Sequence, residues 1–313
     1  MLLHNLYSRK KLKKIILLKN IVRINVSFYK YFKIKNTIFF RNMIYIIFNK
    51  YNILGRIYVS KEGINAQISI PKKNYNKSIY MIYKLNKNLY NIHINKSIKN
   101  DKLSFLKLIV KVKPKILNDN INENFDFIKN KGIYLNVSKV NNLIFNKNYV
   151  FVDIRNNYEY ELGHFINSIQ IKSINFRNQI NNLLKKLIFF KKKKIVLYCT
   201  GGIRCEKVST ILKYNNFKKV YQIKGGIISY IRYIKKYNLP NYFIGKNFVF
   251  DNRMCENVSY SIISNCHQCK SISYNYVNCL NNKCHILFIQ CFSCKILFKK
   301  FCSIKCMKLF YKN

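Results

Sequence analysis

The sequence lacks the features that would place the chain in a membrane or outside the cell. No apolar run approaches the length of about 18 residues that crosses a bilayer as a helix, so no membrane partner is expected. No clear secretion signal stands at the start, where segment 1–22 is predicted to be a plain basic extension. The 11 cysteines therefore indicate thiol chemistry or metal binding in a reducing, cytoplasmic compartment, and not a disulfide framework.

Acidic residues are scarce, and this shortage gives the chain a very high net charge. Only 11 Asp and Glu residues oppose 58 Lys and Arg residues, a formal net charge of +47. Such a field attracts polyanions, so RNA or DNA is the partner class that the composition favours. The chain is also crowded with Lys, Asn, Ile, Tyr and Phe, whose codons are AT-rich, so codon bias can produce much of this charge unaided. Composition therefore permits nucleic-acid binding but does not establish it.

Glycine is rare too, so the places where scarce residues remain are informative. Of 9 glycines, four stand in the adjacent pairs 201–202 and 225–226. Three of the acidic residues fall within residues 153–161. Hydrophobic residues make up 49% of the chain, so a buried core is feasible. The two glycine pairs and residues 153–161 are therefore the first candidates for a functional site.

Residues 23–114 alternate between strand and helix patterns. The predicted elements are a strand at Ile24–Phe32, a helix at Thr37–Tyr51, strands at Arg56–Val59 and Ala66–Ile70, a helix near Tyr75–Leu85, and strands near Asn91–Asn95 and Phe105–Val112. The first six of these seven elements have the β-α-β-β-α-β order that is typical of a ferredoxin-like, or acylphosphatase-like, domain. Two roles remain open for this domain, namely packing as an adaptor and contact with RNA. A polar linker is predicted at 115–142.

Residues 143–240 are predicted to be an α/β domain with a parallel sheet. Tyr149–Asp153 and Lys194–Tyr198 are short apolar runs, as expected of buried parallel strands. The first run ends in Asp153, and Cys199 directly follows the second. Because ligands bind at the carboxyl ends of strands in open α/β sheets, both residues are candidate site residues.

The loop after the second run has the composition of an anion-binding loop that activates a thiol. It consists, in order, of Cys199, Thr200, Gly201, Gly202, Ile203 and Arg204. Such a loop can turn successive backbone N–H groups toward the sulfur. The helix predicted to follow it and the Arg204 guanidinium add positive charge, which favours a thiolate over a thiol of ordinary pKa about 8.5. Cys199 is therefore the predicted nucleophile.

The length of this loop distinguishes two kinds of chemistry. Cysteine phosphatases place five residues between Cys and Arg, because their loop encloses a tetrahedral phosphate. Only four residues lie between Cys199 and Arg204, and Tyr198 replaces the histidine that commonly precedes a phosphatase cysteine. The residues alone thus favour persulfide chemistry on an anionic substrate. The alternative is a buried structural cysteine at the end of a strand.

Residues 241–313 form a cysteine-rich region. Its four pairs are Cys266 and Cys269, Cys279 and Cys284, Cys291 and Cys294, and Cys302 and Cys306. Thiolates at this spacing suit tetrahedral zinc in two closed structural sites, which would supply folding free energy to a segment too small for its own core. His267 or His285 could replace a neighbouring cysteine, and reduced or redox-active cysteines are the alternative. The spacing does not decide which pairs share a metal, and Cys255 stands outside the pattern.

Two further segments resemble signatures of the rhodanese family. The segment 152–166 resembles its first signature, and Gly225–Gly226 before a predicted helix resembles its last. This resemblance implies that Cys199 carries a persulfide and that an Asp–Arg–Glu cluster braces the active loop. The residues that match this cluster are Asp153, Arg155 and Glu159. The motif gives His164 a structural role more often than that of a general base.

Other matching segments are spread along the chain. They are 27–32, 62–69, 155–164, 198–207, 243–251, 266–269 and 289–291. On these segments the chain resembles the bacterial rhodanese-containing tRNA uridine hydroxylases. The resemblance implies 5-hydroxylation of the wobble uridine, position 34, of tRNA, with molecular oxygen as co-substrate and Cys199 as the active-site cysteine. Cys205 is a possible resolving cysteine, and no flavin, haem or nucleotide motif is evident.

Two alternatives to this function remain open. A sulfurtransferase would pass persulfide sulfur to tRNA or to a small acceptor. A non-enzymatic, zinc-stabilised adaptor would only bind RNA. The sequence does not predict the oligomeric state.

Overall fold

The computed structural model describes residues 7–119, 125–173 and 176–311. Parts of the predicted basic extension, linker and cysteine-rich region, at 1–6, 120–124 and 312–313, lie outside the described residues. Among the described helices, none is both long and apolar enough to span a bilayer. The basic extension contains helix α1 (Arg9–Lys19), which is capped by the Ser8 side chain and buries no residue.

The N-terminal domain is a five-stranded sheet with two helices on one face. Its elements are β1 (Arg23–Tyr31), α2 (Thr37–Lys50), β2 (Leu54–Ser60), β3 (Gly63–Pro71), α3 (Tyr75–Lys84), β4 (Asn95–Lys96) and β5 (Leu108–Val112). The strand order is β4-β1-β3-β2-β5, antiparallel except for the parallel β2–β5 pair. The predicted ferredoxin-like unit is thus confirmed, and β5 extends its sheet by one strand.

Side chains alternate between the two faces of this sheet, and only one face is apolar. Phe28, Ala66 and Ile57 lie side by side on adjacent strands and pack into the core beneath α2 and α3. Their neighbours in sequence, such as Ser27 and Gln67, point to the opposite face and line a cavity shared with the central domain. The polar face of the sheet is therefore turned toward the loop that contains Cys199.

One predicted strand of this domain is largely wrong. The sequence pattern places a strand near Asn91–Asn95, but β4 begins only at Asn95. Residues 87–89 form a 3-10 turn, and Asn91 adopts a left-handed conformation with φ 52°. An extended run cannot pass through that conformation, because strands require negative φ. The resulting loop brings His93 against the central domain.

The central domain is a parallel sheet with helices on both faces. Its elements are β6 (Ile133–Leu135), α4 (Val140–Leu143), β7 (Tyr149–Asp153), α5 (Asn157–Leu162), β8 (Gly163–Phe165), β9 (Ile169–Gln170), α6 (Phe176–Leu187), β10 (Lys194–Tyr198), α7 (Ile203–Tyr214), β11 (Val220–Ile223) and α8 (Gly226–Tyr237). The strand order is β6-β11-β10-β7-β9, and every neighbouring pair is parallel. Along β10, Leu197 packs with α6 and α7, whereas Val196 packs with α8. The predicted α/β architecture is confirmed.

Part of the segment predicted as a linker, 115–142, belongs to this sheet. β6 pairs with β11, and the preceding Gly132 donates its backbone N–H to the Ser209 hydroxyl at 2.8 Å. A three-residue strand in an Asn-rich stretch is too short to produce an apolar periodicity. The sheet thus begins ahead of residue 143, where the sequence pattern starts the domain.

The C-terminal region adds short strands and helices around the cysteines. Its elements are β12 (Phe243–Phe248), β13 (Cys255–Asn257), β14 (Tyr276–Asn278), β15 (Leu287–Ile289), α9 (Phe292–Leu297) and α10 (Ile304–Tyr311). β12 pairs with β8 of the central domain on one side and with β13 on the other, and β14 pairs with β15. The strand pairing between β12 and β8 fixes this region to the central domain.

Candidate active site

The Cys199 sulfur lies inside the loop that follows β10. The backbone N–H of Gly202 donates to the sulfur at 3.1 Å, and Cys199 is only 1% exposed. Gly202 has φ 103° and stands at the start of α7. Because side-chain-bearing residues rarely adopt that conformation, glycine is needed to turn the chain from the sulfur into the helix.

Helix α8 packs directly against this loop. The backbone N–H of Ile227 donates to the Cys199 carbonyl at 3.0 Å, and that of Ile228 donates to the Thr200 carbonyl at 3.2 Å. A Cβ atom at Gly226 would lie 2.3 Å from the Cys199 carbonyl oxygen, and Gly226 itself has φ 63°. Glycine is therefore needed at position 226, because any side chain there would prevent the start of α8 from contacting the loop.

The surroundings of Cys199 favour its thiolate. Burial alone raises the pKa of this thiol, but a hydrogen bond with Cys205 and the positive charge of Arg204 oppose burial. Backbone N–H groups of Gly202 and Arg204 add to this effect, and together they lower the pKa of Cys199 to about 6. Burial and the neighbouring Cys199 sulfur raise the pKa of Cys205 well above its ordinary value. At neutral pH Cys199 is thus an anion and Cys205 a neutral thiol.

Arg204 is held by a buried carboxylate. Its two terminal nitrogens donate to the Glu159 oxygens at 2.6 and 2.8 Å, a bidentate geometry. Burial raises the pKa of the Glu159 carboxyl, but the Arg204 guanidinium more than offsets burial, so the pKa is lowered. The Thr200 hydroxyl also donates to Glu159, at 3.4 Å. Glu159 therefore contacts the active loop at two positions.

Asp153 and Arg155 form a second buried ion pair, one layer below the loop. Arg155 donates from its terminal nitrogen to Asp153 at 2.6 Å, and both side chains are fully buried. Arg155 also donates to the Gly163 carbonyl, which ties the end of β7 to β8. These two residues support the strand ends, and Glu159 is the member of the predicted cluster that touches the loop itself.

His164 lies away from the reactive sulfur. Its Nδ1 is 2.8 Å from the Tyr160 carbonyl, and its ring stacks on the Tyr160 ring at 3.8 Å. It is not among the described residues that line the cavity at Cys199. This placement fits the structural role that the sequence analysis favours over general base.

A cavity of about 960 Å³ connects the active loop to the N-terminal domain. One wall consists of Cys199, Thr200, Gly201, Ile203 and Arg204, and the opposite wall is the polar face of the N-terminal sheet. The volume lies near the top of the range of roughly 300–1,000 Å³ typical of small-molecule sites. The thiolate therefore faces a space large enough for a nucleotide.

The N-terminal domain contacts the active loop directly, which the sequence analysis did not predict. The Asn95 amide donates to the Gly201 carbonyl at 3.3 Å, and the Tyr31 hydroxyl donates to the Ile203 carbonyl at 3.4 Å. The Tyr29 hydroxyl donates at 3.1 Å to Glu206 in the first turn of α7. The one sequence signal for this contact is that acidic residues are rare, and Glu206 is one of only 11.

A buried lysine, also missed, links the two domains behind the loop. Lys207 is completely buried and contacts the carboxylates of Glu62, at 3.0 Å, and of Asp119. A buried ammonium is tolerated only when it is paired, so this arrangement holds α7 to the N-terminal sheet. The candidate site is therefore built by both domains.

The eight paired cysteines form two separate groups. The first consists of Cys266, Cys269, Cys291 and Cys294, and the second of Cys279, Cys284, Cys302 and Cys306. Within each group the sulfur atoms lie within 4.8 Å of one another. The pairs are thus interleaved along the chain, the first with the third and the second with the fourth. Each group could hold one metal ion, since four thiolates are the donor set of closed zinc sites.

The histidines of this region do not complete either group. His267 contacts Glu161 at 2.7 Å, and neither His267 nor His285 belongs to a four-sulfur group among the described residues. Cys255 lies apart in β13. Each described group therefore has four cysteine donors, and in neither group does a histidine replace a cysteine.

Three family models match successive parts of the chain. Residues 23–116 match the UPF0176 acylphosphatase like domain, residues 136–232 the rhodanese-like domain, and residues 244–307 the rhodanase C-terminal model. The parallel sheet and the Cys199 loop define the class as a rhodanese-domain protein.

Curated relatives match nearly the whole chain. The tRNA uridine(34) hydroxylase of Buchnera aphidicola subsp. Acyrthosiphon pisum (strain APS) is 50% identical over 307 residues, which cover 98% of this chain and 94% of that protein. The enzyme of the same name from Buchnera aphidicola subsp. Schizaphis graminum (strain Sg) is 52% identical over 97% of each chain. That of Photorhabdus laumondii subsp. laumondii is 45% identical over 97% of this chain and 86% of its own. The chain belongs to the tRNA uridine(34) hydroxylase family.

Proposed function

We propose that this protein hydroxylates uridine 34 of tRNA to 5-hydroxyuridine, with molecular oxygen as co-substrate and Cys199 as the reactive group. The observation that carries the proposal is a cysteine whose pKa is lowered to about 6, on the wall of a nucleotide-sized cavity, in a chain of this family. We predict that the enzyme acts in the cytoplasm, where tRNA is modified.

The proposed role of Cys199 is to make uracil reactive toward oxygen. Uracil is a closed-shell ring that reacts slowly with molecular oxygen. Addition of the Cys199 sulfur, as thiolate or persulfide, to C6 moves electron density to C5, which then attacks oxygen. Loss of the C5 proton and departure of the sulfur restore the ring with a C5 hydroxyl. Incorporation of one oxygen atom and release of the other as water take two electrons and two protons from an external reductant.

The other loop residues have proposed supporting roles. The backbone N–H of Gly202 and the Arg204 guanidinium hold the sulfur as an anion. Cys205 donates a hydrogen bond to Cys199 and, because its own pKa is raised, stays a thiol until Cys199 is oxidised. It is then placed to resolve an oxidised or persulfidated Cys199. Asp153, Arg155 and Glu159 brace the loop.

We further propose that each four-sulfur group holds a structural zinc ion. All four donors of each site are cysteines, which leaves no open coordination position for a substrate. Metal binding stabilises a region in which the two strands among the paired cysteines, β14 and β15, are only three residues long. The zinc sites therefore serve the fold, and the chemistry stays at Cys199.

A sulfurtransferase is the second candidate, because the four-residue loop suits a persulfide. Thiolation and hydroxylation raise the nominal mass of a nucleoside almost equally, so heavy-oxygen gas distinguishes them. Cells grown under heavy oxygen should place label in the C5 hydroxyl of uridine 34, and a deletion strain should lack the product. Sulfur in place of labelled oxygen would select the sulfurtransferase. Unchanged nucleosides in a Cys199→Ser strain would select the non-enzymatic adaptor.

A further inference from the structure

The polar face of the N-terminal sheet presents two ordered rows of side chains to the cavity at Cys199. Strand register places Ser27, Gln67 and Arg56 side by side across β1, β3 and β2. The next row on the same face consists of Tyr29, Asn65 and Tyr58. All six line the cavity. Because cross-strand neighbours lie roughly 5 Å apart, the rows form one continuous surface.

Several of these side chains have unused hydrogen-bonding capacity. Within the described parts of the chain, Ser27, Arg56, Tyr58 and Gln67 make no side-chain hydrogen bond or ion pair. Arg56 is exposed, and the other three are half-buried. This face therefore offers an aromatic ring, an amide and a guanidinium that are free to contact a ligand.

The charge of this surface suits a polyanion. Arg56 and the exposed Lys113, which also lines the cavity, have no carboxylate partner within the described residues. The lining carboxylates Asp119 and Asp251 are both neutralised, the first by Lys207 and the second by Arg253. Apart from the Cys199 thiolate beside Arg204, the unpaired charge of the described residues at the cavity is therefore positive. It lies beside polar groups that can contact base edges.

We propose that this sheet face binds the single-stranded anticodon-loop nucleotides next to the target uridine, with a base stacked on Tyr58 and a phosphate on Arg56. RNA-recognition motifs use an open four-stranded sheet in the same way, stacking unpaired bases on aromatic side chains. The Gln67 amide, between Ser27 and Arg56 in the first row, is placed to hydrogen-bond a base edge. The inference rests on the proposed function, since it names how that substrate is held opposite Cys199.

Binding of an anticodon stem-loop RNA by the full-length chain, measured by fluorescence anisotropy, tests the inference. Tyr58→Leu should raise Kd by about 5-fold to 150-fold, the range for loss of one stacked base, whereas Tyr58→Phe should keep the wild-type value. Arg56→Gln changes an exposed side chain, so the fold stays intact. It should lower the slope of log Kd against log salt by about one, because one phosphate contact is lost.

Matched control variants lie on the opposite side of the N-terminal domain. Lys77 and Tyr80 are exposed on α3. Lys77→Gln and Tyr80→Leu make the same chemical changes as Arg56→Gln and Tyr58→Leu, and should leave Kd and its salt slope unchanged. The inference is overturned if the sheet-face variants bind RNA as the control variants do.

Hydroxylation assays separate this failure from failure of the proposed function. A wild-type chain that hydroxylates uridine 34, together with sheet-face variants that bind and react normally, refutes only the sheet-face site. A wild-type chain that forms no 5-hydroxyuridine but binds the stem-loop through Tyr58 refutes the proposed reaction and supports the site.

Discussion

The reactivity of this chain is concentrated at one sulfur atom, which the local electrostatics hold as an anion. Desolvation opposes the charge at Cys199, and a thiol hydrogen bond, a guanidinium and two backbone N–H groups overcome it. The guanidinium alone would attract any anion. Its bidentate pairing with Glu159 fixes its position beside the thiolate, and both groups line the cavity.

Alkylation of Cys199 should depend on pH as expected of a thiol with a pKa of about 6. The thiolate is the reactive form, so the rate of labelling by iodoacetamide should rise from low pH and reach a plateau near neutrality. Mass spectrometry of the Cys199 peptide measures this rate. Cys205→Ala removes the hydrogen bond to the sulfur and should move the midpoint upward. A midpoint near the ordinary value of about 8.5 in the wild-type chain would contradict the proposed thiolate.

Glu159→Gln should destabilise the fold by about 3–5 kcal/mol, because it removes the carboxylate charge that pairs with the buried Arg204 guanidinium. Glu161→Gln is a matched control two residues away. The Glu161 contact with His267 is about 40% exposed on each side, so its loss should change stability by less than about 1 kcal/mol. Urea unfolding of the two variants measures the difference. Equal midpoints would show that the Glu159–Arg204 pair does not brace the loop.

At the scale of elements, the active loop is positioned by two helices. α7 begins within the loop at Ile203, and α8 touches it from outside through Gly226. The sequence predicted this loop and its glycines, because scarce residue types stood at fixed spacing between apolar strands. It could not predict that Asn95 and Tyr31 contact the same loop, since they lie more than one hundred residues away and match no short motif.

Gly226→Ala should raise the pKa of Cys199 toward its ordinary value and reduce its alkylation at neutral pH. The added Cβ would lie 2.3 Å from the Cys199 carbonyl oxygen, so Cys199 must shift, and its sulfur then moves relative to the Gly202 N–H. Gly201→Ala is the control, because its Cβ would meet only the Asn95 amide at 3.4 Å, an ordinary contact. The alkylation assay compares the two variants. A normal rate in Gly226→Ala would show that α8 does not hold the loop.

The register of the N-terminal strands marks another limit of the sequence. The sequence predicted strands at the positions of β1 and β3, but which strands are neighbours, and in which register, follows from the fold. The sequence pattern misplaced the short strand β4 and did not predict β6, because two or three residues are too few to show a periodicity. Cysteine spacing likewise predicted two zinc sites but not their interleaving, which depends on how β14, β15 and the two last helices fold back.

Across the whole molecule, the few acidic residues are used as structural partners. Among the described residues, six acidic residues form ion pairs with Lys or Arg, and even 11 acidic residues could pair with only a minority of the 58 basic ones. The Lys207 contacts with Glu62 and Asp119 join the two domains around the cavity. Codon bias can supply exposed lysines, but it does not explain buried pairs at these positions, because an unpaired buried charge would destabilise the fold.

Metal content should reveal the interleaved arrangement of the cysteine pairs. The wild-type chain should hold two zinc ions, one in each four-sulfur group. A Cys269→Ser, Cys291→Ser double variant removes two ligands from one group and should lose one zinc. A Cys269→Ser, Cys302→Ser variant removes one ligand from each group and should weaken both sites. Elemental analysis after mild chelation measures the ratio. Equal loss in both variants would contradict the interleaving.

The central claim is that the Cys199 sulfur attacks the base at position 34 of tRNA. A tRNA with 5-fluorouridine at this position lacks the C5 proton that normally leaves, so the adduct should persist after rapid quench. Protease digestion and mass spectrometry should then place a cross-linked nucleotide on Cys199, and Cys199→Ala should form neither adduct nor 5-hydroxyuridine. Hydroxylation by Cys199→Ala, or an adduct on any other residue, would contradict the account.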